Sequence, residues 1–291
     1  MKRTVVALGT FDGVHTGHRM LLARAAGAAH EYGFTPLVYT FSHHPMAAFG
    51  KRPPLLMTDE ARIEALRAYG DVVADDFTLE FAGLSPRAFV EMLVSRFGMR
   101  RAVAGYNYTF GSRGAGDTKL LEAFGRELGF AVDVVAPVLF EGAPLSSTRI
   151  RAALEEGEVA LAAGMLGAPY ALGGTVVANR GIGRGIGFPT ANLAGFEGLV
   201  LPKDGVYATR ATVRGKTYAG VTNVGSNPTV GGITTGVETH LIGFSGDVYG
   251  EKLRVEFVAR LRDEMKFDGL GALRARIALD AKTAAELLKI Q

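Results

Sequence analysis

The sequence predicts an α/β half built on a parallel sheet, followed by an antiparallel β-barrel that ends in a helix. Three observations lead there. Over the first half, short β-branched runs alternate with helix-like segments, the order that gives a parallel sheet covered by helices on both faces. Beyond Leu172 the helical periodicity gives way to β-branched runs punctuated by glycine, the spacing of an antiparallel barrel. After Lys266-Phe267-Asp268, an amphipathic segment continues to Ile290. The change of pattern puts a domain boundary near residue 168, giving 1–168 and 169–291.

Each element has a local reason. Val5–Leu8 is an apolar strand, Met20–Tyr32 a helix and Pro36–Phe41 a second strand. Thr58–Ala68 reads as a helix opened by a capping box, with Asp59 and Arg62 on its polar far face. Asp71–Asp75 is a strand, and Ser85–Phe97 a helix with Pro86 at its first position, where a missing N–H costs nothing. Arg101–Gly105 and Val132–Val138 are strands around a helix at Asp117–Gly129. Hydroxyls at Ser147 and Thr148 open a helix reaching about Glu156, and Glu158–Leu166 forms another, stopped by Gly167-Ala168-Pro169. The barrel strands are expected at Thr175–Ala178, Val206–Val213, Tyr218–Val224, Val237–Phe244 and Leu253–Leu261.

Composition narrows the classes. The chain has 291 residues, 48% hydrophobic and 21% charged, as a folded protein of two ordinary domains would. With no cysteine, disulfides, thiolate nucleophiles and cysteine-held metals are excluded. No apolar run approaches the ~18 residues of a membrane span, and no signal-peptide pattern opens the chain, so a cytoplasmic location without membrane partners is expected. A net charge of +3, with acidic residues interspersed, argues against nucleic acid.

The most informative stretch is Gly9-Thr10-Phe11-Asp12-Gly13-Val14-His15-Thr16-Gly17-His18, between the first strand and the first helix. A strand, a glycine turn and a helix start present backbone N–H groups and the positive helix end to an anion. His15 and His18 fall within one helical turn and can face one phosphate; the alternative is that they cap the helix or fill the turn. Four further clusters accompany it: Thr40-Phe41-Ser42-His43-His44-Pro45, the Gly105–Gly111 segment with Asn107, Asp117 beyond it, and Ser146-Ser147-Thr148-Arg149-Ile150-Arg151. Alone, the His-His-Pro loop reads as a solvated turn and the Ser-Ser-Thr run as a capped surface helix.

In the second half, Gly183-Arg184-Gly185-Ile186-Gly187-Phe188-Pro189-Thr190-Ala191-Asn192 is a glycine-rich loop ending in two neutral side-chain oxygens, Thr190 and Asn192, suited to Mg²⁺. It is not a Walker A loop. Downstream come Asn223-Val224-Gly225-Ser226-Asn227-Pro228-Thr229 and Val237-Glu238-Thr239-His240. Glu238 lies in an apolar strand pattern, where a carboxylate has either a partner or a job, while His240 reads as structural.

The first motif and its companions resemble the signature of nucleotidyltransferases. The second set, with Leu261-Arg262-Asp263-Glu264-Met265-Lys266-Phe267-Asp268, looks like riboflavin kinase. Together the whole chain resembles the bacterial bifunctional riboflavin kinase/FAD synthetase family. That resemblance implies a Rossmann-like nucleotidyltransferase domain before a kinase barrel, with ATP a substrate of both and Mg²⁺ held in the kinase half. Riboflavin would become FMN in the barrel, and FMN would become FAD, with pyrophosphate released, in the first domain.

By the same resemblance, Glu238 would take the riboflavin 5′-hydroxyl proton, with Thr190 and Asn192 on Mg²⁺ and phosphates, and Gly183, Arg184, Gly187, Pro189 and Asn223 lining the substrates. His15 and His18 would stabilise charge on the α-phosphate and the leaving pyrophosphate. Gly9, Phe11, Asp12, Gly17, His44, Asn107, Ser146, Ser147, Thr148 and Arg151 would bind substrate or ATP. His43 replaces a usual proline, Asn107 and Thr109 a frequent aspartate and arginine, and Arg62 a common lysine. The rival readings are a single-activity kinase whose first domain is inactive or redirected, and a non-enzymatic flavin sensor or RNA binder.

Overall fold

The computed structural model describes residues 2–178, 185, 187–229 and 232–289, with no side chains described for 226–229 and 232–235. It divides into two compact units, Met1–Ser147 and Thr148–Gln291.

In the first unit, five strands, β1 (Thr4–Leu8), β2 (Thr35–Phe41), β3 (Asp71–Asp75), β4 (Met99–Gly105) and β5 (Ala131–Val135), form a sheet in the order β3-β2-β1-β4-β5. Every pairing is parallel. The central strand β1 is buried along its whole length, as a strand covered on both faces must be. Val5 and Ala7 point into one core with Leu22 and Ala25 of helix α1 (Thr16–Tyr32). Val6 and Leu8 point into the other, with Phe89 and Leu93 of a helix between β3 and β4 and Leu121 of another between β4 and β5. α1 starts four residues before the sequence expectation, because His15 rather than a later residue caps it.

Helix α2 (Asp59–Leu66) is capped by Thr58, whose hydroxyl accepts from the Ala61 amide at 3.2 Å. Only half of the expected capping box exists, since Ala61 has no side chain to reach back. A short turn, α3 (Leu79–Ala82), precedes α4 (Pro86–Phe97), and α5 (Thr118–Leu128) is capped by Asp117. β5 stops at Val135, short of Val138, and a small hairpin follows, β6 (Leu139–Phe140) with β7 (Ala143–Pro144).

The second unit opens with α6 (from Ser147 to Glu155) and α7 (Val159–Leu166). Six strands then close a barrel: β8 (Tyr170–Val177), β9 (Thr190–Ala194), β10 (Gly205–Val213), β11 (Lys216–Thr229), β12 (Gly232–Leu241) and β13 (Lys252–Arg262). β9 was read from sequence as the end of a loop. Its alternation of buried Ala191 and Leu193 with half-buried Thr190 and Asn192 is that of a strand with one face on a core. Helix α8 (Leu270–Leu288) lays Ala284 and Leu288 on Val206, Ala208, Ala219 and Val221 of β10 and β11. Asp280 of α8 is 2% exposed and pairs with Arg262 at 2.8 Å and Arg276 at 3.1 Å, pinning the helix to the end of β13.

The units divide at Ser147/Thr148, ahead of residue 168. α7 packs on β13 and β8, and the Leu154 carbonyl of α6 accepts from the Lys203 amide at 2.9 Å. No described helix is long and apolar enough to cross a membrane.

Candidate active sites

The strand order of the first unit reverses between β1 and β4, so the turn after β1 stands where open α/β sheets bind ligands. That turn is tightly built. Phe11 (φ 56°) and Val14 (φ 39°) are non-glycine residues in the left-handed region, with Gly13 (φ 79°) between them. A Cβ on Gly9 would come within 2.9 Å of the Phe11 ring, and one on Gly17 within 3.2 Å of the His15 ring. Both glycines leave room for rings folded back over the turn.

His15 is buried and caps α1, its Nδ1 accepting from the His18 amide at 3.2 Å. The His15 and His18 rings stack with centroids 3.5 Å apart, and Phe11 packs edge-on against His18 at 5.4 Å. Capping and pairing are therefore one arrangement rather than alternatives. Burial holds His15 down at about 4 and His18 well below the usual imidazole range. Both rings are neutral at neutral pH, and because Nδ1 of His15 accepts, its proton sits on Nε2. Among the described residues, Nδ1 of His18 is buried without a hydrogen-bond partner.

Asp12 is buried, and its Oδ1 accepts from the Leu56 amide at 3.0 Å while its carbonyl accepts from the Ser147 hydroxyl at 3.0 Å. Ser146, half-buried, adjoins it in sequence; Thr148 and Arg151 belong to the second unit.

Beside the turn lies a cavity of about 410 Å³, to which Gly9, Thr10 and His44 contribute. Its walls are rich in aromatic rings, among them Phe41, Phe77, Phe81, Tyr108 and Phe110. Phe41 and Phe77 meet edge to face at 4.9 Å, as do Phe41 and Phe81 at 5.3 Å. Such walls accept a flat conjugated ring. Burial pushes the Tyr108 phenol upward, so it stays a neutral hydroxyl. His44 is half-buried, not solvated, and its Nδ1 accepts from the Met46 amide at 3.2 Å.

The departures sort differently. Thr109 lines the cavity, while Asn107 is exposed and lies outside its lining. Arg113, which sequence reasoning passed over, also lines it and is the one permanently charged group among the described lining residues. Its φ of 55° is a backbone signal that sequence does not carry. His43 donates from Nδ1 to the Asp59 carboxylate, 2.8 Å away. Arg62, read as polar on the far face of its helix, is instead 4% exposed and points beneath the strand ends. The correction has a simple reason: eight residues of weakly amphipathic helix do not tell which polar face meets the sheet, and here the backbone carbonyls ending β1 and β2 need donors.

In the barrel, strand register assembles the second candidate site. Glu238 on β12 stands opposite Asn223 on β11 and Asn192 on β9, giving a three-strand row of polar groups. Directly opposed residues share a face. Val237, Thr239, Ala191 and Thr222 are buried inside the barrel, so this row looks outward, on the side of the wall that carries α8. Glu238 is half-buried rather than a buried acid in an apolar strand, because alternation turns Val237 and Thr239 inward and Glu238 and His240 out. Thr190 faces His240 in the next row, and His240 is structural in contact: its Nδ1 lies 2.9 Å from the Pro189 carbonyl and its ring packs on Phe188.

Sequence reasoning quoted the Glu264 string without assigning that residue. Its carboxylate accepts from Asn223 Nδ2 at 3.2 Å and lies over Gly225, where a Cβ would collide with it. Gly187 and Pro189 are exposed before β9, and Gly183 and Arg184 lie outside the described residues. Among the described residues no group of three acids, histidines or cysteines is placed to hold a metal. Thr190, Asn192 and Glu238 offer oxygens only, the donor set of an ion that takes few protein ligands and completes its shell with water and phosphate.

The comparisons agree on both halves. The family model described as FAD synthetase matches residues 1–149, and that described as riboflavin kinase matches 166–288. A bifunctional riboflavin kinase/FMN adenylyltransferase of Bacillus subtilis (strain 168) is 36% identical over 292 residues, covering 97% of this chain and 92% of the relative. One from Escherichia coli (strain K12) is 35% identical over 288 residues, with the same coverages of 97% and 92%. A crystal structure described as a macrolide-efflux protein from Streptococcus pneumoniae superposes with a TM-score of 0.89 at 33% identity, covering 97% of this chain and 94% of that one.

Proposed function

The chain belongs to the bifunctional riboflavin kinase/FMN adenylyltransferase family, and from that premise we propose how its residues divide the two reactions. The enzyme phosphorylates riboflavin to FMN with ATP, then transfers AMP from a second ATP to FMN, giving FAD and pyrophosphate. Because both halves match, nothing favours a single-activity kinase or a flavin sensor.

Adenylyl transfer belongs to the first unit. The observation that carries this is the β1 turn, two stacked neutral imidazoles beside an aromatic cavity large enough for a flavin ring. A phosphate oxygen of FMN is already anionic and attacks the α-phosphorus without a base; the bond to the β-phosphate oxygen breaks and pyrophosphate leaves. His15 donates through Nε2–H and His18 through its own ring N–H toward charge building on the phosphates, and neutral donors do this without a tightly held ion pair. Ser146 and Ser147 support the triphosphate, and Arg113 offers the flavin side its cation.

Phosphorylation belongs to the barrel. Glu238 takes the proton of the riboflavin 5′-hydroxyl as its oxygen attacks the γ-phosphorus and ADP leaves. Thr190 and Asn192, the latter in register with Glu238, would hold Mg²⁺, which when bound would neutralise phosphate charge. Asn223, held by Glu264, orients the acceptor hydroxyl. The domain line is drawn near residue 168 by function, with α6 and α7 folding alongside the barrel.

The test is direct. Purified protein given riboflavin, ATP and Mg²⁺ should form FMN first and FAD second, with pyrophosphate appearing only once FMN is present. FMN without FAD would remove the adenylyltransferase half.

A further inference from the structure

The Arg62 guanidinium lies under the mouth of the first site and serves neither helix propensity nor surface charge. At 4% exposure it should cost several kcal/mol in desolvation unless every donor is used. Its two Nη groups reach acceptors on three segments at once. Nη1 donates to the Thr10 carbonyl at 3.3 Å and the Thr40 hydroxyl at 2.9 Å. Nη2 donates to the Phe41 carbonyl at 2.7 Å, the Ser42 carbonyl at 3.2 Å and Asp59 Oδ1 at 2.7 Å. The other Asp59 oxygen holds His43 at 2.8 Å.

Thr10 is two residues from Asp12 in the phosphate-facing turn after β1, and Phe41 and Ser42 lead into His44 at the end of β2. These loops come from adjacent parallel strands, whose ladder ends at Leu8 and Tyr39. Past that point the one backbone bond between them among the described residues is a long one, from the Gly9 amide to the Tyr39 carbonyl at 3.4 Å, yet FMN and ATP must meet between these loops. The Thr40 hydroxyl adds a second tie, donating to the same Thr10 carbonyl at 3.3 Å.

We propose that Arg62 is a positioning residue for adenylyl transfer: its fork sets the spacing between the β1 and β2 loops, and Asp59 neutralises it and extends the bracket to His43. This rests on the assignment of the β1 turn as the phosphate site. A planar fork with fixed donor directions suits acceptors on two strands, whereas an ammonium supplies three donors from one point. Arg62 touches no reacting atom, so its removal acts through geometry. Misplacement of reacting groups by about 1 Å can cost ~10²-fold in rate.

The experiment uses the full chain, with circular dichroism and the first unit's thermal transition reporting folding and the riboflavin kinase rate reporting active enzyme concentration. Arg62→Met keeps the apolar stem and removes the fork. FAD formation from FMN should lose ~10²-fold in kcat, with KM for ATP within about threefold and FMN formation from riboflavin within about twofold. Arg62→Lys should recover roughly tenfold of the loss, a partial rescue that general instability would not follow at a temperature where all variants are folded. His18→Ala, run in parallel, should lose ~10²-fold in FAD formation. Should the Met variant fail to fold, Thr40→Val decides: it removes one acceptor of the bracket and should slow FAD formation about fivefold.

FAD formation within threefold of wild type in folded Arg62→Met, or a loss wholly in KM, overturns the proposal while leaving the site intact if His18→Ala still fails. Unchanged rate in Thr40→Val overturns it if Arg62→Met is unfolded. Full FAD formation in His18→Ala overturns the phosphate-site assignment, and the proposal with it.

Discussion

Replacing His15 by Asn should flatten the acid side of this protein's stability curve. His15 is a buried base whose folded-state value is depressed by desolvation, to about 4 against 6.5 in an open chain. Between those values the unfolded chain binds more protons than the native one, so stability rises with pH across that window. The contribution is fully present above 6.5 and is lost as pH falls toward 4. Linkage between 6.5 and about 4 gives a loss of about 2 kcal/mol at pH 5 and about 3 kcal/mol at pH 4, relative to pH 8. Protonation also removes the cap on α1, because Nδ1 can then no longer accept from the His18 amide.

Asn is a strong helix cap and does not titrate, so it keeps the acceptor and deletes the proton site. The loss of the ring stack shifts the whole curve, and only the change with pH is diagnostic. By calorimetry in matched buffers, wild type should lose roughly 4–8 °C more than His15→Asn between pH 8 and pH 5, at ~2–4 °C per kcal/mol. Parallel pH profiles for the two proteins would refute the reasoning, since they would mean His15 titrates normally in the native state. His18 is depressed in the same direction and stays in the variant, so some slope should remain there and vanish in His15→Asn/His18→Gln.

Other outcomes follow from the same structure. Glu238→Gln should lower FMN formation by ~10²-fold or more, while FAD formation from supplied FMN stays near wild type; chromatography of both products checks it. A fragment from Thr148 should fold and phosphorylate riboflavin. One from Pro169 should be less stable in urea, because it exposes the barrel surface that Val159, Ala162, Met165 and Leu166 help bury. Asp280→Ala would strand Arg262 at the end of β13 and should cost about 3–5 kcal/mol, read as a lower urea midpoint with unchanged slope.

The sequence by itself determined the two architectures and most of their elements. Alternating β-branched and helical periods are local properties, and β1, β3 and α4 lie within a residue or two of where pattern places them. The motif turn was equally legible, since glycines beside histidines at a helix start have few other uses. Tertiary structure decided what each polar side chain faces. Glu238 could be read in or out until β11 and β9 flanked its strand and fixed the register. The Thr190–Ala194 strand was hidden because five residues beginning in a glycine loop carry too little period to declare themselves. Arg62 was the largest miss. Its role depends on backbone carbonyls contributed by Thr10, Phe41 and Ser42, tens of residues away in sequence. Unmet backbone hydrogen bonds leave no trace in residue type, and only the assembled sheet shows which donor must answer them.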